Sequence, residues 1–299
     1  MKDLISIKEL NREEIESLLR RALEMKQKPP GPILQGHVMA SCFFEPSTRT
    51  RLSFEAAMKR LGGEVIGFAD SSSTAAKKGE SLYDSMKIIG LYSDVLVIRH
   101  PLEGSARQAA EATAKPVINA GDGANEHPTQ TLLDLFTIQE CQGKLDGLHI
   151  AFVGDLLYGR TVHSLAYALK QFDARLYFVS PPSLSMPDAV CDELKKAGVP
   201  FSFHSSIEEV VGKCDILYMT RVQKERFPNV EEYNRVKDRY ILTAAALENA
   251  KKGLKILHPL PRVNEIAPEV DDTGHAYYFP QAENGLYVRQ ALLCKLLGK

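Results

Sequence analysis

The chain has 299 residues, of which 44% are hydrophobic and 25% charged, with a formal net charge of −1. That length exceeds one ordinary hydrophobic core and suits two lobes, and the mixture excludes disordered, collagen-like and disulfide-scaffold classes. A near-neutral balance gives no global field for DNA, RNA or an anionic membrane, so anion recognition must come from locally gathered Arg, Lys and His.

In chain order, Met1 to Leu10 alternates charged with apolar residues, unlike a signal peptide, and no run approaches the roughly 18 apolar residues of a membrane span. A cytoplasmic protein without nucleic-acid or membrane partners is expected. Asn11 is a candidate N-cap for a helix with Ile15, Leu18, Leu19, Ala22 and Leu23 on one face, ended by Lys28-Pro29-Pro30-Gly31-Pro32. Strand-like and helical runs then alternate: 37–44, 47–61, 64–68, 79–92, 95–99, 104–113 and 117–119. That alternation predicts βαβ units and a parallel sheet. A long helix over 128–142 is expected to bridge two lobes. A second series follows, with strands at 148–153, 175–179, 200–204, 216–220 and 255–258 and a helix over 160–172. A helix over 285–297 closes the chain.

The fold class expected is therefore α/β, two lobes each with a mostly parallel sheet flanked by helices, joined by a bridging helix and closed by a C-terminal one. The expected domains are 1–131, 132–284 and a C-terminal helix, 285–299, packing back on the first. The five cysteines (Cys42, Cys141, Cys191, Cys214, Cys294) are scattered without a CxxC pair, so neither a disulfide framework nor a zinc knuckle is indicated.

The strongest local feature is Phe43-Phe44-Glu45-Pro46-Ser47-Thr48-Arg49-Thr50-Arg51, a strand end turning into hydroxyl residues that open a helix. Orphan N–H groups and the positive end of the helix dipole favour an anion there, and Arg49 adds charge-assisted donors. Taken alone, the segment has a less favoured alternative, an ordinary N-cap followed by solvated arginines. Lys77-Lys78 follows a Ser/Thr-rich loop, and by itself is a solvated charge pair. Arg99-His100-Pro101 ends an apolar strand, where open α/β sheets place ligand contacts.

His127 and Gln130 stand near the start of the bridging helix. A positioned His, an Arg and hydroxyl donors are what a developing carbonyl oxyanion requires. Gly154-Asp155-Leu156-Leu157-Tyr158-Gly159-Arg160 is not GxGxxG, and GxxxxGK[ST] is absent from the sequence, so dinucleotide and P-loop readings are weak. Arg160 and Arg221 follow strands of the second series and suit a ligand with two carboxylates, since guanidinium grips carboxylate in a bidentate fork. His258-Pro259-Leu260-Pro261-Arg262 is too proline-rich to continue its strand and exposes backbone carbonyls.

Together, Ser47-Thr48-Arg49-Thr50-Arg51, Arg99-His100-Pro101, His127-Pro128-Thr129-Gln130, Gly159-Arg160-Thr161, Arg221-Val222-Gln223 and His258-Pro259-Leu260-Pro261 resemble the aspartate carbamoyltransferase catalytic chain, in order over nearly the whole length. Ornithine-specific relatives usually carry Cys in the last of these loops; here the position is Pro259. The resemblance implies transfer of the carbamoyl group from carbamoyl phosphate to L-aspartate, in de novo pyrimidine biosynthesis.

It also implies roles. Ser47, Thr48, Arg49 and Thr50 would hold the phosphate, Thr50, Arg99 and His127 the carbamoyl carbonyl, and Gln130 its amino group. Arg160, Arg221 and Gln223 would bind aspartate, with the carbonyls of Pro259 and Leu260 at the amino groups. Lys78 would enter from a neighbouring chain's loop, in a homotrimer with shared active sites, using no metal or organic cofactor; four residues before it many relatives carry Ser where this chain has Thr74, so either Thr74 or the adjacent Ser73 would supply the hydroxyl at the phosphate. The second domain would then bind aspartate and the first carbamoyl phosphate. Some regulated relatives carry Lys where this chain has Leu157, so a regulatory chain is an open possibility rather than an implication.

Overall fold

A computed structural model describes residues 1–222, 231 and 240–299. The chain divides into two compact units, one of residues 1–136 and 283–299 and the other of residues 137–282. Both dividing points fall inside helices, α5 (Pro128–Gln142) and the C-terminal α8 (Tyr278–Leu296).

In the first unit, Asn11 caps α1 (Arg12–Gln27) through a capping box with Glu14, each side chain bonding the other's backbone N–H. The sheet comprises β1 (Val38–Phe43), β2 (Glu64–Phe68), β3 (Val95–His100) and β4 (Val117–Asp122), all parallel, in the order β2-β1-β3-β4. Helices α2 (Thr48–Arg60), α3 (Leu82–Tyr92) and α4 (Ser105–Ala112) make the crossovers. Because helices cover both faces, β4 and the first four residues of β3 are buried without alternation. The core of one face gathers Ala40, Cys42, Phe44, Met86, Leu96 and Ile98.

The second unit carries a five-stranded parallel sheet, β7-β6-β5-β8-β9. Its strands are β5 (Leu148–Val153), β6 (Ala174–Val179), β7 (Phe201–His204), β8 (Ile216–Met219) and β9 (Lys255–Leu257). Helix α6 (Arg160–Leu169) links β5 to β6, and α7 (Asp188–Lys196) links β6 to β7. The α/β class with two parallel sheets is as expected.

Several elements differ from the sequence reading: α3 begins at Leu82 rather than at 79, β4 runs on to Asp122 rather than ending at 119, and α6 ends at Leu169 rather than at 172. Helix α7 was not expected; its short apolar stripe of Val190, Cys191 and Leu194 follows a Pro/Ser-rich stretch. Helix α8 begins at Tyr278, not Gly285. Pro280 lies in its first turn, where the missing N–H has no helical partner to lose. The free cysteines are all buried except half-buried Cys141, and burial pushes the thiols of Cys42 and Cys214 up to about 12, so they are poor nucleophiles. Among the described residues no helix is long and apolar enough to cross a membrane, and no cluster of three or more His, Cys, Asp or Glu could hold a metal.

Candidate active site

Sheet order places the site. In the first unit the chain leaves β1 for β2 on one side and returns past β1 to β3 on the other, so the loops after β1 and β3 diverge and open a crevice at the strands' carboxyl ends. Phe43 pairs with Arg99 and His100 with Asp122, which brings the ends of β1, β3 and β4 to one rim.

The loop after β1 enters α2 at Ser47, whose side chain makes no cap hydrogen bond, and the first turn of the helix holds no acidic residue. The side-chain cap is not made here, and the helix start keeps its anion-attracting N–H groups and dipole. Thr50 is buried, Ser47 half-buried, and Thr48 and Arg49 exposed. Arg51 turns away to Glu55, 3.2 Å along the helix. Among the described residues no carboxylate pairs with Arg49.

Arg99 is mostly buried. Its Nε lies 2.8 Å from Glu45 Oε1, an ion pair by distance whose N–H is not aimed at the oxygen, while one Nη donates to the Ala120 carbonyl at 3.3 Å. Burial, deep for Arg99 and partial for Arg49, lowers the pKa of both guanidinium groups; the charge of Arg99 lowers Arg49 further, while Glu45 partly offsets the effect of burial on Arg99. Two cations in mutual repulsion beside a helix start without a side-chain cap have the chemistry to receive a polyanion. Glu45 was legible only as part of the motif; its pairing with Arg99 depends on the fold.

The turn from β4 into α5 is built around Asp122. Its carboxylate accepts from Asn119 Nδ2 and the Glu126 N–H on one oxygen, and from the Gly104 N–H and Asn125 Nδ2 on the other. Glu126 in turn accepts from Ser6 Oγ at 2.6 Å and the Ile7 N–H at 2.8 Å. So braced, His127 is buried just ahead of α5, with Thr129 Oγ1 3.4 Å from its Nδ1. Gln130, also buried, donates from Nε2 to Asp134 Oδ1 at 2.9 Å. Thr74 and Lys78 lie in a loop of short 3-10 turns; Thr74 Oγ1 donates to the Ser71 carbonyl and Lys78 is exposed.

The second sheet repeats the device. The chain runs β5 to β6 to β7 one way and then returns past β5 to β8, so the switch lies between β5 and β8. Arg160 opens α6 after β5 and Arg221 follows β8, one from each loop at that point. The loops are tied together: the Asp155 N–H donates to Thr220 Oγ1 at 2.9 Å, and Leu157 and Tyr158 pack against Leu184 and Val222. Gln223 lies outside the described residues.

After β9, His258 is buried; its Nδ1 accepts from the Leu260 N–H at 2.8 Å, so its proton sits on Nε2 and goes to Glu265 Oε1 at 2.7 Å. Burial alone would raise the Glu265 pKa, but the hydrogen bond from His258 and the N–H groups around its carboxylate bring it below the usual range. Leu260 takes a left-handed φ of 56°. Among the described residues no donor claims the carbonyls of Pro259 or Leu260.

Residues 2–140 match the family described as "Aspartate/ornithine carbamoyltransferase, carbamoyl-P binding domain", and residues 146–296 match "Aspartate/ornithine carbamoyltransferase, Asp/Orn binding domain". The chain belongs to the aspartate/ornithine carbamoyltransferase family. Among similar members, the aspartate carbamoyltransferase catalytic subunit of Chromobacterium violaceum is 59% identical over 298 residues, covering 100% of this chain and 98% of the relative. That of Vibrio campbellii is 58% identical over 301 residues, covering 100% and 97%. Among solved carbamoyltransferase structures, the catalytic subunit of M. jannaschii aspartate transcarbamoylase superposes with a TM-score of 0.94 at 50% identity, covering 100% and 98%. The Trypanosoma cruzi aspartate transcarbamoylase in complex with N-(phosphonacetyl)-L-aspartic acid does so with 0.92 at 39%, covering 98% and 94%.

Proposed function

We propose that this chain catalyses attack of the L-aspartate amine on carbamoyl phosphate, giving N-carbamoyl-L-aspartate and phosphate, the carbamoyl-transfer step of pyrimidine biosynthesis. The observation that carries the reading is the pairing of Arg49 with Arg99 at the switch point of the first sheet, beside a helix start that nothing caps. Within the family, aspartate is favoured by the relatives named above and by the Trypanosoma cruzi structure in complex with carbamoyl phosphate and aspartate.

The phosphate is held by Ser47, Thr48, Arg49 and Thr50, where orphan N–H groups and guanidinium offset its charge. Thr50, Arg99 and His127 donate to the carbamoyl oxygen and follow it as it becomes an oxyanion. Gln130 takes the carbamoyl amino group. Arg160, Arg221 and Gln223 bind the two carboxylates of aspartate, and the unclaimed carbonyls of Pro259 and Leu260 accept from amine N–H. The amine nitrogen forms a bond to the carbonyl carbon, the C–O bond to phosphate breaks, and the departing phosphate takes the proton.

Both reactants are anions, so cations on the protein must relieve their repulsion before the atoms can approach, and fixed orientation replaces a bimolecular encounter. Lys78 is exposed and, among the described residues, has no acidic partner, which suits work in a neighbouring chain's site, with Thr74 beside it. The chain accordingly acts as a homotrimer with shared active sites in the cytoplasm, with no metal or organic cofactor. The deciding experiment compares product formation from carbamoyl phosphate with aspartate and with ornithine, side by side. Carbamoylaspartate as the dominant product is expected; carbamoyl transfer to ornithine instead, or to neither, overturns the assignment.

A further inference from the structure

Beneath the first sheet's site lies a charge that none of these roles uses. Arg289, on α8, is fully buried; its Nε finds no acceptor among the described residues, and its guanidinium lies over the Phe54 ring, Cζ 4.9 Å from the centroid. Room for it exists because Gly285, one turn earlier, has no side chain: a Cβ there would collide with Arg289 Nη1 and meet Leu133. Burial pushes the guanidinium down to about 10, and the attraction of Asp134, itself fully buried on α5, opposes that loss.

Two rows of side chains converge on this arginine. Phe54 lies one turn beyond Thr50 on α2, and Asp134 one turn beyond Gln130 on α5. An ionised carboxylate can only accept, so Gln130 must turn its Nε2 toward Asp134 and keep its Oε1 pointing away. An outward amide oxygen accepts from N–H; an outward NH2 would not.

We infer that Arg289 and Asp134 form a buried positioning pair that sets which way the Gln130 amide faces, so that the site selects an acyl donor bearing an amino group. This deepens the carbamoyl phosphate reading and rests on it. Arg289 attracts Asp134; Asp134 orients Gln130; Gln130 distinguishes carbamoyl phosphate from acetyl phosphate, which has a methyl group in place of NH2. In Asp134→Asn, Arg289 draws the new side chain's oxygen to itself and leaves its NH2 for Gln130, whose amide then turns over. In Asp134→Asn with Arg289→Met, the Asn oxygen is released and can again accept from Gln130. Removing both charges together also avoids stranding one in the interior.

The test is titration of the full chain with carbamoyl phosphate, acetyl phosphate and inorganic phosphate. Wild type should prefer carbamoyl over acetyl phosphate. Asp134→Asn should lose about tenfold of that preference, the scale of one buried hydrogen bond, while inorganic phosphate binds within about twofold of wild type. The double variant should recover most of the preference. Unchanged selectivity in Asp134→Asn, a parallel loss of phosphate affinity, or no recovery in the double variant overturns the inference. A wild-type chain that binds none of the three would instead overturn the carbamoyl phosphate reading beneath it.

Discussion

Arg49 and His127 are the residues whose loss should cost most for least structural damage. Arg49 is exposed and, among the described residues, bears no carboxylate partner, so its truncation removes a donor without stranding a buried charge. Arg49→Ala or His127→Ala should lower turnover by about 10² or more with the fold intact, on the scale of one lost oxyanion-type donor. Steady-state rates alongside circular dichroism check this, and wild-type turnover in either variant refutes the role given to that residue. Glu265 makes a prediction about stability. Its pKa is depressed in the folded chain, so its contribution is present above the usual glutamate value and is lost as pH falls through the lower folded one. In Glu265→Gln the amide NH2 has to face the N–H groups of Val263 and Asn264, which now bond to Oε2 at 3.0 and 3.1 Å. That mismatch should cost about 1–3 kcal/mol at neutral pH, and the gap from wild type should narrow in acid. Urea midpoints at both pH values would show it; a gap that is constant or widens in acid contradicts the assignment.

Among the elements, the turn after β5 is the most tightly specified. Gly154 has φ +111° and a Cβ there would lie 2.5 Å from the Thr220 carbonyl oxygen, across the switch between β5 and β8. Gly154→Ala should destabilise the chain by about 1–3 kcal/mol, the range for a residue forced into a sparse backbone region. Because the same turn is tied to Thr220, it should also raise the KM for aspartate more than that for carbamoyl phosphate. Equal effects on the two constants would separate this turn from Arg160 and Arg221. Elements were readable where one local signal dominated. β2, β5 and α5 have the bounds expected from their apolar runs and turn residues, and Asn11 caps α1 as expected. The start of α8 was not readable, because Pro280 and Gly285 both suggest a break and only packing explains them: one sits in the first turn, the other makes room for Arg289.

At the scale of the molecule, sharing of sites between chains is the prediction that matters. Arg49→Ala and Lys78→Ala impair different components of a site, and if those components come from different chains, mixed trimers regenerate some intact sites. Activity should return after subunit exchange between the two inactive proteins; none returning despite demonstrated exchange favours sites confined to one chain. Much else was already written in the linear chain. Apolar runs and breakers specify strands and helices through local physics, and the ordered motifs from Ser47 to Pro261 carried the chemistry, since anion-binding hydroxyls and guanidinium groups cluster beside turns. What no stretch of residues could state is which distant groups become partners. Glu45 meeting Arg99, Ser6 meeting Glu126 and Arg289 lying over Phe54 are contacts across separate elements. They exist because strand order and helix packing bring those elements together, and burial then strengthens each interaction by taking it out of water.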